Sequence, residues 1–378
     1  MDASSSTSFS RRWPVAFLVA LALVVAGEGA IAMHRHLFVD AFFRIAEDKR
    51  ARLASGEVHS VLVIGDSSMF HVPPEIAIEE LGLGGEGANL AWPFSGLGMY
   101  EHLLDDYLRH RDEAPDLVIT AFMPNFVAQD RKTMLLRDFL ATTDEPDLWT
   151  TRIFSSLTAG GVLRAFLRER LWKGVVDYAK YRSSPPSLQL RGGIFRALAD
   201  WLAQRQVPTY EGRDVAMWDR YSRLGRFPVY GDEHQDPSIM LKVLEDVFGR
   251  FENREDEALA AAFERFLALS EKRGIPVIII PTPCPQYMQE FYTARGVMPF
   301  YERTLAGWDA KYEMLKVAEP RLWVESNDLF GDPGHVNAPG AGRYNDFLEA
   351  WMREHREEVA ALVEAGRARR AQLEGMGR

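Results

Sequence analysis

Short apolar runs, separated by stretches of helical periodicity, are the feature that most narrows the folds open to this chain. Val61, Leu62, Val63 and Ile64 form one run that stops at Gly65. A second covers 117–121 behind Pro115, and a third covers 275–280 and stops at Pro281. Runs of this length without polar alternation suit strands buried on both faces. Residues 88–90 and 322–324 are shorter candidates, the latter expected as the last strand. Between the runs, apolar residues recur at helical spacing. One set is Leu97, Tyr100, Leu103, Leu104, Tyr107 and Leu108. Another is Leu259, Phe263, Phe266 and Leu267, ended by Gly274. Tyr301, Leu305, Trp308, Tyr312 and Leu315 step by four and three and predict a further helix. Tyr344, Phe347, Leu348 and Trp351 open a closing helix that leads into a charged tail. Strands alternating with helices predict an α/β fold with a central parallel sheet covered on both faces.

The rhythm breaks between residues 131 and 254. That stretch carries Trp149, Trp172, Trp201 and Trp218, a Ser-Ser-Pro-Pro turn at 183–186 and a polar loop at 231–237. It reads as one mostly helical insertion, and insertions on such scaffolds shape a substrate site or a partner surface.

The N-terminus bears on compartment. Residues 1–12 are polar and end in Arg11 and Arg12, and an uninterrupted apolar run of 14 residues follows at 13–26. Counted through Glu28 the segment reaches about 21 residues, enough for one membrane span. Residues 13–33 are therefore expected as a signal anchor. Ala30-Ile31-Ala32 resembles a small-x-small cleavage site. The order basic-then-apolar implies export, with 1–12 as a cytoplasmic tail and the body in the periplasm, single-pass at the inner membrane. The positive-inside rule taken alone argues the reverse, because Arg35, Arg44, Lys49, Arg50 and Arg52 outnumber Arg11 and Arg12. Asp40, Glu47 and Asp48 dilute that second cluster. A buried N-terminal helix of a soluble protein is the alternative. Residues 34–57 are expected as an amphipathic stalk, 58–130 and 255–352 as the α/β body, and 353–378 as a charged C-terminal helix with Arg367, Arg369 and Arg370 on an exposed face.

Composition removes several classes. The chain has 378 residues and a formal net charge of −10, which argues against a nucleic-acid partner. The single cysteine, Cys284, excludes a disulfide framework and a cysteine-rich metal site. Gly82-Leu83-Gly84-Gly85-Glu86-Gly87 fits a G-x-G-x-x-G string but follows a helix, so it lacks the strand-turn-helix context of a phosphate cradle. His34-x-His36 and Asp232-Glu233-His234 have no second ligand pair. No cofactor and no metal are expected.

Chemistry-bearing residues gather at strand ends, where open parallel sheets bind their ligands. Gly65-Asp66-Ser67-Ser68 ends the first run and can present the Ser67 hydroxyl at the rim, or simply be a turn with capping serines. Gly96 follows the second strand and offers a backbone N–H at a helix start, and Asn125 follows the third and offers an amide or a turn cap. Asp332-Pro333-Gly334-His335 follows the last strand. An Asp three residues before a His in a Pro-Gly turn can accept from one ring nitrogen and free the other for a hydroxyl.

Together these pieces resemble the SGNH, or GDSL, hydrolase superfamily. The matching residues are Gly65-Asp66-Ser67, Gly96, Asn125 and Asp332-x-x-His335, with the first two gaps at 29 residues each. The third block reads Phe122-Met123-Pro124-Asn125, where the family has Gly-x-Asn-Asp. With its N-terminal segment the chain is most similar to the membrane-anchored branch, DltD-like and polysaccharide O-acetylation proteins among it. The resemblance implies a flavodoxin-like three-layer sandwich and a catalytic triad of Ser67, His335 and Asp332. It also implies an oxyanion hole of the Ser67 and Gly96 N–H groups and the Asn125 amide. The implied activity is ester hydrolysis or O-acyl transfer on acyl esters of a cell-envelope glycan, with a membrane-bound O-acyltransferase as candidate partner. The other class of reading is a non-catalytic scaffold or partner-binding component of an envelope-modifying complex.

Overall fold

The computed structural model describes residues 41–92, 97–124 and 257–376, with Val19, Ala22 and scattered positions between 221 and 241. The chain divides into two compact units. One comprises residues 1–44 and 150–215 and lies almost wholly outside the described residues. The other comprises 45–149 and 216–378 and contains all the elements discussed below except the first residues of the helix at Ala41–Ala54.

Five strands form the central sheet: β1 (Val61–Val63), β2 (Gly87–Asn89), β3 (Leu117–Thr120), β4 (Val277–Ile279) and β6 (Leu315–Val317). Their order is β2-β1-β3-β4-β6, and every neighbouring pair is parallel. Val61, Leu62 and Val63 pair with Gly87, Ala88 and Asn89 on one side and with Leu117, Val118 and Ile119 on the other. β1, β3 and β4 are buried along their whole length. That burial is the reason their sequences carry no polar alternation.

The connections are helices: α2 (Glu75–Leu81), α3 (Gly98–Arg109), α4 (Glu257–Arg273), α6 (Met298–Lys311), α7 (Ala338–Glu354) and α8 (Arg356–Met376). α2 packs against α7 and α8, and α3 packs against α4. Tyr100, Phe122, Phe263 and Trp308 fill the second contact, with Phe122 and Trp308 edge to face at 4.8 Å between ring centres. Gly274 ends α4 with φ of +63°, a conformation that costs glycine little.

Three expectations need correction. The apolar spacing that predicts one helix through Leu315 belongs to two elements. α6 ends at Lys311, and Leu315 and Val317 are the buried residues of β6, while Lys316 points out to Glu358. Residues 322–325 do not join the central sheet. As β7 (Leu322–Glu325) they pair with β5 (Thr282–Pro285) in a separate two-stranded sheet. The arginines of the tail form a solvated face only in part: Arg367 is exposed, whereas Arg369 and Arg370 are half-buried, and α8 buries Val359 and Val363 on the body. Arg367 and Arg370 reach Asp116 at 2.6 and 2.7 Å, and Arg369 reaches Glu271 at 3.0 Å. Burial works against the Asp116 charge, but the two guanidiniums outweigh it and hold the carboxyl below its usual range.

The stretch expected as a stalk is in part a docked helix. α1 (Ala41–Ala54) buries Ile45, Lys49 and Leu53, one residue per turn along one stripe. Among the described residues no helix is long and apolar enough to cross a membrane. The expected anchor at 13–33 lies outside them apart from Val19 and Ala22, as does most of the expected insertion at 131–254.

Candidate active site

The strand order reverses between β1 and β3, because the chain leaves β1 for β2 on one side and returns to β3 on the other. Parallel sheets open a crevice at such a point, at the carboxyl ends of the strands. Ser67 stands there. β1 runs into Ile64 and Gly65, and a 3-10 turn at Ser67–Met69 follows at once. A side chain at Gly65 would put its Cβ 2.5 Å from Cγ of Met69, so the turn closes only over a glycine. Asp66 caps the turn: its carboxylate accepts from the Ser68 N–H at 2.9 Å and from the Ser68 hydroxyl at 2.5 Å. Asp66 thus faces Ser68 and leaves the Ser67 hydroxyl to another partner.

That partner is His335. Its Nε2 lies 2.8 Å from Oγ of Ser67. Its Nδ1 lies 2.8 and 2.9 Å from the two carboxylate oxygens of Asp332. β8 (Phe330–Asp332) and β9 (His335–Val336) form an antiparallel hairpin in which Asp332 pairs with His335 across the Pro333-Gly334 turn. The Gly334 N–H donates to Asp332 at 2.8 Å and tightens that turn. Asn337 then caps α7 by accepting from the Gly340 N–H at 3.0 Å. His335 is therefore held between a closed hairpin and a capped helix.

The carboxylate has a third donor. The Tyr230 hydroxyl gives its hydrogen bond to Asp332 at 2.8 Å. Burial opposes ionisation of Asp332, but His335, the Gly334 N–H and the Tyr230 hydroxyl outweigh it and keep the carboxyl below its ordinary range. His71, just after the turn that carries Ser67, is buried, and its ring meets Tyr344 edge-on at 5.1 Å. Burial, and then the charge of His335, push His71 down to about 3, so it is neutral near pH 7.

The turn that carries Ser67 is pinned from beneath by Asn89 at the end of β2. The Asn89 amide donates to the carbonyls of Met69 and Val72 at 2.8 and 2.9 Å. Its oxygen accepts from the Ala91 N–H and from the ammonium of Lys49, at 3.0 and 3.1 Å. Lys49 also donates to the Asn89 carbonyl at 3.0 Å and lies 4.8 Å from the Phe70 ring centre. Burial depresses its pKa well below the usual lysine value.

Three of the five site residues read from the sequence thus meet: Ser67, His335 and Asp332. Gly96 and Asn125 lie outside the described residues. Leu97 resumes the chain after the first, and Pro124 precedes the second. Lys49, Asn89 as a brace and Tyr230 were not legible as site residues, since nothing local in their sequence marks a partner 17 to 102 positions away. Cys284 is buried on β5, and burial pushes its thiol up to about 12, which removes a thiolate from the available nucleophiles.

A hydroxyl in contact with an imidazole, itself oriented by an ionised carboxylate, can add to an electrophilic carbonyl and return the proton to a leaving group. No family model matches the chain, and no curated protein matches it.

Proposed function

We propose that this chain is a serine esterase or O-acyltransferase of the SGNH type. The observation that carries the reading is the unbroken contact series from Ser67 Oγ to His335 Nε2 and from His335 Nδ1 to Asp332. The strand order β2-β1-β3-β4-β6, with helices in two packed groups, supports a flavodoxin-like three-layer arrangement for the body.

In the proposed reaction Ser67 Oγ attacks an ester carbonyl while its proton passes to Nε2 of His335. Asp332 holds the imidazole with its N–H on Nδ1 and stabilises the imidazolium that forms. Collapse of the tetrahedral intermediate breaks the ester C–O bond, and His335 returns the proton to the departing alkoxide. The acyl-enzyme then yields its acyl group to water, in hydrolysis, or to a sugar hydroxyl, in transfer, with His335 again taking and returning the proton. The Ser67 and Gly96 N–H groups and the Asn125 amide are the proposed oxyanion donors, each worth about 3 kcal/mol in the transition state.

The proposed setting is the outer face of the inner membrane, with residues 13–33 as anchor and acyl esters of an envelope glycan as substrate. Support comes from the order of basic and apolar residues at the N-terminus and from the resemblance to the membrane-anchored branch. A fluorophosphonate probe tests the chemistry. It is expected to label the wild-type chain at Ser67. Ser67→Ala is expected to lose both labelling and hydrolysis of p-nitrophenyl acetate. Undiminished turnover in that variant overturns the assignment.

A further inference from the structure

The Asp332–His335 pair is gripped by a residue from outside its own hairpin. Tyr230 comes from the stretch that sequence analysis set apart as an insertion. Its side chain packs against Gly331, where any Cβ would overlap it. The ring centre is 6.3 Å from that of His335. The next residue, Gly231, accepts from the Ala338 N–H at 2.7 Å, which ties the segment to the first turn of α7. The hydroxyl at the end of this clamped ring meets Asp332 Oδ2 at 2.8 Å.

We propose that Tyr230 is a positioning residue for the triad, donating to Asp332 so that the carboxylate holds the His335 ring in line with Ser67 and does not overbind the imidazolium. The role in turnover rests on the esterase reading above, whereas the contact with Asp332 does not. Two consequences follow from elementary electrostatics. A phenol that donates to a carboxylate draws off part of its negative charge, so the imidazole opposite is less strongly held in its protonated form. It also occupies one carboxylate oxygen, which fixes the plane of the carboxyl group and through it the direction of Nε2.

Among the described residues, several groups face this pair. Asp332 faces His335 and the Gly334 N–H in its own hairpin, Tyr230 from the 230 segment, and Tyr287 at the start of α5 (Gln286–Ala294). His335 faces Ser67, Asp332, the Tyr230 ring and the buried His71. His71 and Tyr287 are both held neutral near pH 7, the first by burial and the charge of His335, the second by burial and the charge of Asp332. Removing the Tyr230 hydroxyl therefore acts on the carboxylate directly and leaves these two neutral neighbours in place.

Tyr230→Phe in the full-length chain keeps the ring on Gly331 and removes only the hydroxyl. The pKa of the His335 ring, read by NMR on histidine-labelled protein and assigned against His335→Gln, is expected to rise by about half a unit. The acid limb of kcat/KM for p-nitrophenyl acetate is expected to move to higher pH by the same amount. At the plateau kcat should fall about tenfold, with KM unchanged. Tyr230→Ala serves as the packing control. If Tyr230→Phe titrates and turns over as wild type and only Tyr230→Ala is impaired, the residue merely fills space and the proposal is overturned. If the wild-type chain cleaves no ester, the esterase reading fails by itself. The His335 titration then still decides whether the Tyr230 hydroxyl tunes the pair.

Discussion

Nε2 of His335 lies 2.8 Å from Oγ of Ser67, although 268 positions separate the two residues. Each arrives by a rigid local route. Ser67 leaves a strand buried on both faces through a glycine that admits no side chain, and Asp66 caps the turn behind it. His335 sits on a two-residue strand closed by its own Asp332 and followed at once by a capped helix. Neither group sits on a long loop, and that local rigidity holds the hydroxyl and the imidazole within hydrogen-bond reach of each other, as the proposed chemistry needs.

The carboxylate should matter mainly for which ring nitrogen carries the proton. Asp332→Asn keeps the shape but can offer an amide N–H to Nδ1, which places the imidazole proton on Nε2 and leaves Ser67 without a base. Esterase kcat is expected to fall by about 10³ to 10⁴ with little change in KM. Steady-state kinetics beside a thermal melt would check it. A variant that folds normally and retains more than a tenth of wild-type kcat contradicts the role given to Asp332.

His71 should make the fold acid-sensitive. Its folded pKa is about 3, against about 6.5 for an unperturbed histidine. Between those values the unfolded chain binds a proton that the folded chain refuses. Stability is therefore full above pH 6.5 and declines as the pH falls toward 3, by up to about 1.4 kcal/mol per pH unit from this residue. His71→Phe keeps an edge-to-face contact with Tyr344 and should flatten that slope. Urea midpoints at pH 7 and pH 5 for both proteins give the comparison, and equal slopes would count against the assignment.

Asn89 should affect folding and rate together. Asn89→Ala takes the side-chain partner from the Met69 and Val72 carbonyls and the Ala91 N–H, and leaves the Lys49 ammonium only the backbone carbonyl at position 89. The expected cost is about 2 to 3 kcal/mol of stability. The loosened turn should also lower kcat more than it raises KM, because the Ser67 hydroxyl loses its fixed direction. Chemical denaturation within about 0.5 kcal/mol of wild type would refute the bracing role.

Much of this architecture can be read from local pattern. The runs at 61–64, 117–121 and 275–280 are strands or strand cores because residues buried on two faces admit few polar side chains. Gly65-Asp66-Ser67 and Asp332-Pro333-Gly334-His335 are visible because a tight turn demands glycine, proline and capping carboxylates at fixed offsets. Leu315 misled because a helix, a turn and a strand in succession can imitate a spacing of three and four. Tyr312 and Leu315 share that spacing without sharing an element. The run at 322–325 misled for a different reason. Leu322 and Trp323 are buried, but the partner β5 belongs to a separate two-stranded sheet, and nothing in the run itself names that partner.

By itself, then, the order of residues determined the alternation of strands and helices, the turn that carries Ser67 and the Pro-Gly turn between Asp332 and His335, since each is dictated by backbone geometry over a few positions. Only the tertiary structure decided that β1 lies between β2 and β3 and brings Ser67 to His335. It also decided that Lys49 is buried under the turn that carries Ser67, that the tail arginines close on Asp116 and Glu271, and that Tyr230 reaches Asp332. Those choices depend on which surfaces remain to be covered once the helices have packed, and such surfaces are built from residues far apart along the chain.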